Sequence, residues 1–362
     1  MFLTKQKIKI VGFGFLLVLF GCGVQDGFAP GLSSSYFLYM ASITDKNLAA
    51  YSVDLGRGTL TEVPGSPFNA GTIDVFSATD PKGRFLYVAD SSGSLYGFTI
   101  GTDGSLAKMA GSPYTIPQPS GVAVDPSGKF LFVSDGTVGS CAIHGYSINA
   151  ATGVPTATTQ GSFSVGTSLA TIVASPNGTY LFATDLSDGI YSLKFDANGA
   201  VSTVGAFAAG SGAESVVIDQ TGQYLYTTAI GGGVRGFTIA AATGILTSMG
   251  AASSTSGTPQ TVSITSTGSY VYVVSQTPNV ITAYKVGSGG ALSTITGSPF
   301  ANTGLKPSSG TIDPTGKYLF VANDGPGISI FNILSSGALS AVNSAPVKTG
   351  TSPYFGFAMK RN

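Results

Sequence analysis

The chain has 362 residues and zero formal net charge; 9% of its residues are charged, 43% are hydrophobic and 51 are glycine. So sparse a charge, against about a quarter in an ordinary soluble domain, with no Lys/Arg cluster beyond the N-terminus, excludes the basic stripe a nucleic-acid partner requires. The glycine and Ser/Thr excess suits many short strands joined by tight turns, with enough apolar mass for a large core.

In chain order, the first element is a targeting segment. Lys5, Lys7 and Lys9 precede the apolar run "VGFGFLLVLF" at 11–20, and "LFGC" ends at Cys22. The run is too short to span a bilayer as a stable helix. The "LFGC" context resembles the lipobox of bacterial lipoproteins, although Phe20 is bulkier than the residue usual there. The resemblance implies a signal peptide over 1–21, acylation of the Cys22 thiol and a flexible tether over 22–35. Acyl chains contribute about 0.8 kcal/mol per buried CH₂, so the expected address is a membrane anchor at the bacterial cell envelope, on the periplasmic face or the outer surface. Without 1–21 the chain keeps 14 basic and 17 acidic side chains, a formal charge of −3. Cys141 is then the only other thiol, so no internal disulfide forms, and in "GSCAIHGYSI" it reads as a small strand residue.

From residue 36 onward the chain repeats itself. A DPxG-type turn recurs with its glycine at 83, 128, 178, 222, 268 and 316. A second mark places Gly58, Gly104, Gly153, Gly199, Gly244, Gly290 and Gly337 at gaps of 46, 49, 46, 45, 46 and 47 residues. Seven units with a period in the mid-forties predict the four-stranded blades of a β-propeller. In one unit, "SGVAV" (120–124) is the inner strand and "DPSG" a type I turn. "KFLFVSD" is an aromatic and β-branched second strand to be sandwiched between blades. "CAIHGYSIN" and "PTATTQGSF" are the third and outer strands. "GSPF" or "GSPY" at 65–68, 111–114 and 297–300 interrupts outer edges, which discourages edge pairing. "YFLYMAS" (36–42) matches a second strand with no inner strand before it, and "SPYFGFAMK" (352–360) an inner strand with nothing after it. The expectation is an all-β domain over 36–362, a seven-bladed propeller closed by pairing the C-terminal strand with the first blade.

The repeated D-P-x-G-[KR]-[FY]-L-[FY]-V-[AS]-[DN] with "GSPF" resembles the seven-bladed propeller lactonases, the group of 6-phosphogluconolactonase and muconate cycloisomerase. The resemblance covers 36–362 and implies carboxylic-ester hydrolysis of lactones. Members of that group carry an Arg-His pair before one inner strand and a Glu shortly after the following strand. Here Glu214 and Ser215, in "GSGAESVVIDQTG", occupy the Arg-His places and Ala229 the later one. Pro119-Ser120, Leu169-Ala170 and Ser308-Ser309 are the counterparts in other units, and none is Arg-His.

Candidate chemistry is scarce, because the chain has one His, two Glu and four Arg. Glu214 opens an inner strand, Arg235 opens the third strand of the same unit, and His144 aligns with Arg235 two units earlier. At one channel mouth, these three would bind a lactone or sugar acid, with the carboxylate or imidazole activating water and Arg235 steadying the oxyanion. The plainer alternative is a Glu214–Arg235 ion pair with His144 packed between blades. Asp90, Asp135, Asp185 and Asn323, all just after second strands, could ring a Ca²⁺ but are better read as turn residues that satisfy backbone N–H groups. No His/Cys cluster suggests zinc, no Trp platform suggests a quinone, and no phosphate-cradling glycine loop occurs, so no metal or cofactor is expected.

Two functions follow. The leading expectation is a non-catalytic binding scaffold at the cell envelope, holding a protein, glycan or small sugar-acid or lactone ligand at the channel mouth. The alternative is a hydrolase of lactones or sugar acids.

Overall fold

The computed structural model describes residues 36–42, 45–71, 75–210, 212–229, 233–325, 327–349 and 353–361. The expected signal peptide, Cys22 and tether lie outside them. Seven antiparallel sheets form the seven blades, each with an inner, second, third and outer strand. Blade three, with strands Pro119–Val124, Phe130–Asp135, Ala142–Ile148 and Pro155–Ser164, matches the strands read from its sequence. The inner strands touch their neighbours in a complete circle, the first blade meeting both the second and the seventh. Apart from one 3-10 turn at Ser288–Gly290, no helix occurs among the described residues.

The second strands are buried end to end. "FLYVAD" (85–90) and "FLFVSD" (130–135) expose no residue on either face. A strand flanked by blades on both sides cannot alternate apolar with polar, so both of its faces are apolar. The buried side chains accordingly divide into seven clusters, one at each blade boundary. Phe37, Tyr39, Leu86 and Val88 sit between the first two blades, and Leu38, Met40, Tyr318 and Phe320 between the last and the first.

The two repeated marks have two separate duties. In "DPSG", the Asp125 carboxylate accepts the backbone N–H groups of Lys129 at 2.7 Å and Phe130 at 2.6 Å. Asp80, Asp219 and Asp313 do the same in their own turns. The aspartate thus satisfies donors at the start of the second strand. The second glycine mark locks each blade to the one before it. Gly244 has φ +73°, and a Cβ there would stand 2.5 Å from Cδ1 of Tyr180 in the preceding blade. The same clash recurs around the ring, from Phe37 against Gly104 to Tyr318 against Gly58. Where the aromatic two residues further on is tyrosine, its hydroxyl donates to that glycine's carbonyl: Tyr39 to Gly104 at 2.8 Å, Tyr226 to Gly290 at 2.7 Å and Tyr272 to Gly337 at 2.8 Å. Burial pushes the pKa of these phenols well above the ordinary tyrosine range.

Closure follows the reading of the chain ends. The C-terminal strand Pro353–Lys360 pairs antiparallel with Tyr36–Ser42, from Tyr36 opposite Lys360 to Ala41 opposite Phe355. Tyr39 and Phe357 stack across this pair with ring centroids 5.2 Å apart. The GSPF and GSPY segments do more than interrupt an edge. Each folds back onto its third strand, where Ser66, Ser112 and Ser298 Oγ accept the N–H groups of Ala50, Gly97 and Ala283.

Candidate functional site

An inner strand has no backbone ladder on its channel side, yet its polar groups need partners. Hydroxyl side chains supply them from one blade to the next. Ser215 Oγ accepts the N–H of Val262, Thr261 Oγ1 that of Gly310, and Thr311 Oγ1 that of Ala358, while Ser263 Oγ donates to the Gly310 carbonyl at 2.6 Å. Ser and Thr of these strands thus stitch neighbouring blades together, and four channel hydroxyls are occupied in this way.

Near the end where inner strands begin, six of the seven blades carry a bulge. A bulge re-aims the residue it leaves over. In blade five Ala213 faces Ala229 and Val216 faces Thr227, so Glu214 and Ser215 together face only Thr228. The bulge backbone is tied on both sides: Ser215 N–H donates to Thr228 Oγ1 at 3.1 Å, and the Ser215 carbonyl accepts from Thr227 Oγ1 at 2.9 Å. The left-over residues in blades three, six and seven are Ser120, Gln260 and Ser308, and in blade four Ala170 and Thr171 together face Thr184.

The bulges of blades four to seven border a cavity of about 280 Å³ in the channel. Its polar side chains include Glu214, Gln260, Ser77, Thr171 and Ser309, and its apolar ones Phe76, Val122, Ile172 and Phe357. Glu214 is the one ionisable group among the described residues that line it. Its carboxylate makes no hydrogen bond or ion pair with any described residue, and burial pushes its pKa above the ordinary carboxylate value. A half-buried, unpaired carboxyl in a cavity, raised toward neutrality by desolvation, is suited to moving a proton.

The other two candidates do not join it. His144 Nε2 lies 3.4 Å from Asp135 Oδ2 within blade three, and Asp135 Oδ1 also accepts the Thr137 N–H at 2.8 Å. Arg235 stands opposite Thr227, its guanidinium against Gly210, where a Cβ would be 3.3 Å from Nε. That Nε is buried with no hydrogen-bond partner among the described residues. Residues 211 and 230–232, which border it in sequence, lie outside the described residues. Neither His144 nor Arg235 lines the cavity, and no ion pair joins Glu214 to Arg235 among the described residues.

The Asx positions behave as turn residues. Asp185 accepts backbone N–H groups from Thr167 and Ser168 on one oxygen and from Ser187 and Asp188 on the other, which holds its pKa below the ordinary range despite desolvation. Asn323 donates to the carbonyls of Val321 and Gly327. Cys141 is buried, its thiol donating to the Thr137 carbonyl and accepting from Leu169 N–H, and desolvation raises its pKa. Sequence reasoning missed Gln260. Its signal was the alignment of "PQT" with "AES", which places a second long polar side chain at the bulge of the next blade.

Residues 38–354 match the family described as Lactonase, 7-bladed beta-propeller. Among solved structures, the chain is similar to a candidate 6-phosphogluconolactonase from Bacteroides uniformis, at 19% identity and TM-score 0.76, covering 90% of this chain and 99% of that one. A counterpart from Bacteroides fragilis is similar at 20% identity and TM-score 0.76, covering 91% and 99%. The periplasmic gluconolactonase of Pseudomonas aeruginosa is similar at 19% identity and TM-score 0.75, covering 90% and 99%. No curated protein matches. With the repeat, the closed ring and the match over 38–354 in agreement, the chain belongs to the lactonase family of seven-bladed β-propellers.

Proposed function

We propose that the protein hydrolyses a lactone, with Glu214 as its general base. The observation that carries this reading is the half-buried carboxyl of Glu214, unpaired and the single ionisable group lining the channel cavity among the described residues. Family membership and the gluconolactonase among the structural neighbours support hydrolysis over the binding scaffold that the missing Arg-His pair first suggested. In this mechanism, ionised Glu214 takes a proton from water as the water oxygen bonds to the lactone carbonyl carbon. The developing oxyanion takes hydrogen bonds from neutral donors at the same rim, Gln260 foremost. The ring acyl–oxygen bond then breaks, and Glu214 returns the proton to the departing alkoxide, giving the open hydroxy acid. Desolvation serves this cycle, since a base works best when its pKa approaches the operating pH. The test is Glu214→Gln against wild type on a lactone panel with melting curves alongside. The variant should lose about 10²-fold or more in kcat/KM while remaining folded. Tight ligand binding without turnover by the wild type would instead establish the scaffold.

A further inference from the structure

The channel does not end at the Glu214 cavity. A second cavity, of about 380 Å³, shares Val173, Val216, Val217, Ser263 and Thr311 with the first, so the two adjoin along one passage. Its far part is bordered by Ala174, Ile218, Ile264 and Ile312, residues at the C-terminal ends of inner strands, and by Pro176 and Gln220 in the turns that follow. The four strand side chains are half-buried. One face of each packs into a blade boundary and the remainder borders the passage. No Lys, Arg or His lines either cavity among the described residues, and the one charge available is the Glu214 carboxylate.

This arrangement is unsuited to an anionic sugar. A phosphate or carboxylate brought here would meet a like charge and no cation, with desolvation unrelieved. A polyhydroxylated ring would find four of the channel hydroxyls, those of Ser215, Thr261, Ser263 and Thr311, already bonded to neighbouring strands. An unbranched hydrocarbon has no such requirements, and Val173, Val216, Val217, Ile218, Ile264 and Ile312 offer it a run of apolar contacts beside the polar Gln220, Ser263 and Thr311. We infer that the substrate is a neutral lactone bearing an unbranched alkyl tail, its ester ring at Glu214 and its tail along the passage toward Ile218, Ile264 and Ile312. The inference rests on the hydrolase reading for the ring and on the passage for the tail.

The experiment measures kcat/KM for δ-lactones with ethyl, butyl, hexyl and octyl tails, beside glucono-δ-lactone and its 6-phosphate. The same lactones are titrated calorimetrically into Glu214→Gln, which binds without turning them over. Each added methylene should raise kcat/KM by up to about fourfold, the limit set by about 0.8 kcal/mol per fully buried CH₂, and the phosphorylated sugar lactone should be the poorest substrate. Ile264→Asn and Ile312→Asn should lower the hexyl-to-ethyl ratio, with melting curves reporting their folding; the wild-type series carries the argument if either fails to fold. Turnover with no dependence on tail length, or with the phosphorylated lactone preferred, would overturn the inference and leave the hydrolase reading standing. No turnover, with affinity still rising along the series, would overturn the hydrolase reading and leave the passage as an alkyl-binding site. Neither turnover nor binding would overturn both.

Discussion

The interlock between blades predicts that two glycines with the same backbone conformation will differ in their tolerance of alanine. Gly244 and Gly161 have φ +73° and +71°. An alanine at either must hold a left-handed conformation, which costs about 1–2 kcal/mol. At Gly161 nothing lies within 4 Å of the added methyl, whereas at Gly244 it would stand 2.5–2.6 Å from two ring carbons of Tyr180. Tyr180 is buried between blades four and five and cannot swing away, so overpacking adds about 1–3 kcal/mol. Gly161→Ala should therefore lose about 1–2 kcal/mol, and Gly244→Ala about 2–5 kcal/mol by the sum of these two effects. The assay is urea unfolding followed by far-ultraviolet circular dichroism, comparing midpoints at constant slope. Losses equal within about 0.5 kcal/mol would show that backbone conformation alone sets the repeat, and the interlock would be refuted.

A chain ending at Thr351 lacks the inner strand of blade one and exposes the edge of Tyr36–Ser42; it should aggregate or lose its cooperative melt, and an unchanged melting temperature would refute closure by this strand. Since burial raises the Glu214 pKa, the fold favours its neutral form: that contribution is complete below the ordinary carboxylate range and is lost as pH rises through the folded value. Glu214→Gln should thus match wild type in acid and become the more stable protein toward neutral pH, as read by melting curves across pH, and a constant difference would contradict the shift. His144→Gln removes one contact, to Asp135, outside the cavity, so it should lower stability by about 0.5–1.5 kcal/mol while lactone turnover stays within a few-fold. Mass spectrometry of the protein from bacterial membranes should find an acylated Cys22 at the N-terminus; an unmodified start beyond it would remove the membrane address.

The architecture was legible because a propeller writes its packing into a one-dimensional period. The DPxG aspartate and the second glycine recur because each blade needs the same hairpin bonds and the same contact with its neighbour. The chain ends were legible for the same reason, since an unmatched second strand at 36–42 needed an inner strand from elsewhere. The site was legible only in part. Glu214 stands out as a charged residue where the bulges of other units carry Ser120, Gln260 or Ser308, but whether it meets Arg235 depends on the bulge. That bulge inserts an unpaired residue and changes which face a side chain takes. Strand periodicity alone placed both groups at one mouth; the bulge turns Glu214 to the channel, and Arg235 stays on the third strand against Gly210. His144 met Asp135, an aspartate weighed as a Ca²⁺ ligand and preferred as a turn residue, because the pair is a cross-strand neighbour that a repeat alignment does not display. The passage was hidden because Ile218, Ile264 and Ile312 look like ordinary core, and their half-exposed faces appear only when the inner strands are arranged in a circle.

The most direct test of Glu214 as the general base is the pH dependence of kcat/KM for the best lactone in the panel, in wild type and in Glu214→Gln. A base acts in its ionised form, so wild-type activity should rise with pH through a single inflection above the ordinary carboxylate range, as desolvation in the channel requires. The residual rate of the variant should lack that inflection. An inflection of the same height and position in both proteins would contradict the account and move the base to another residue.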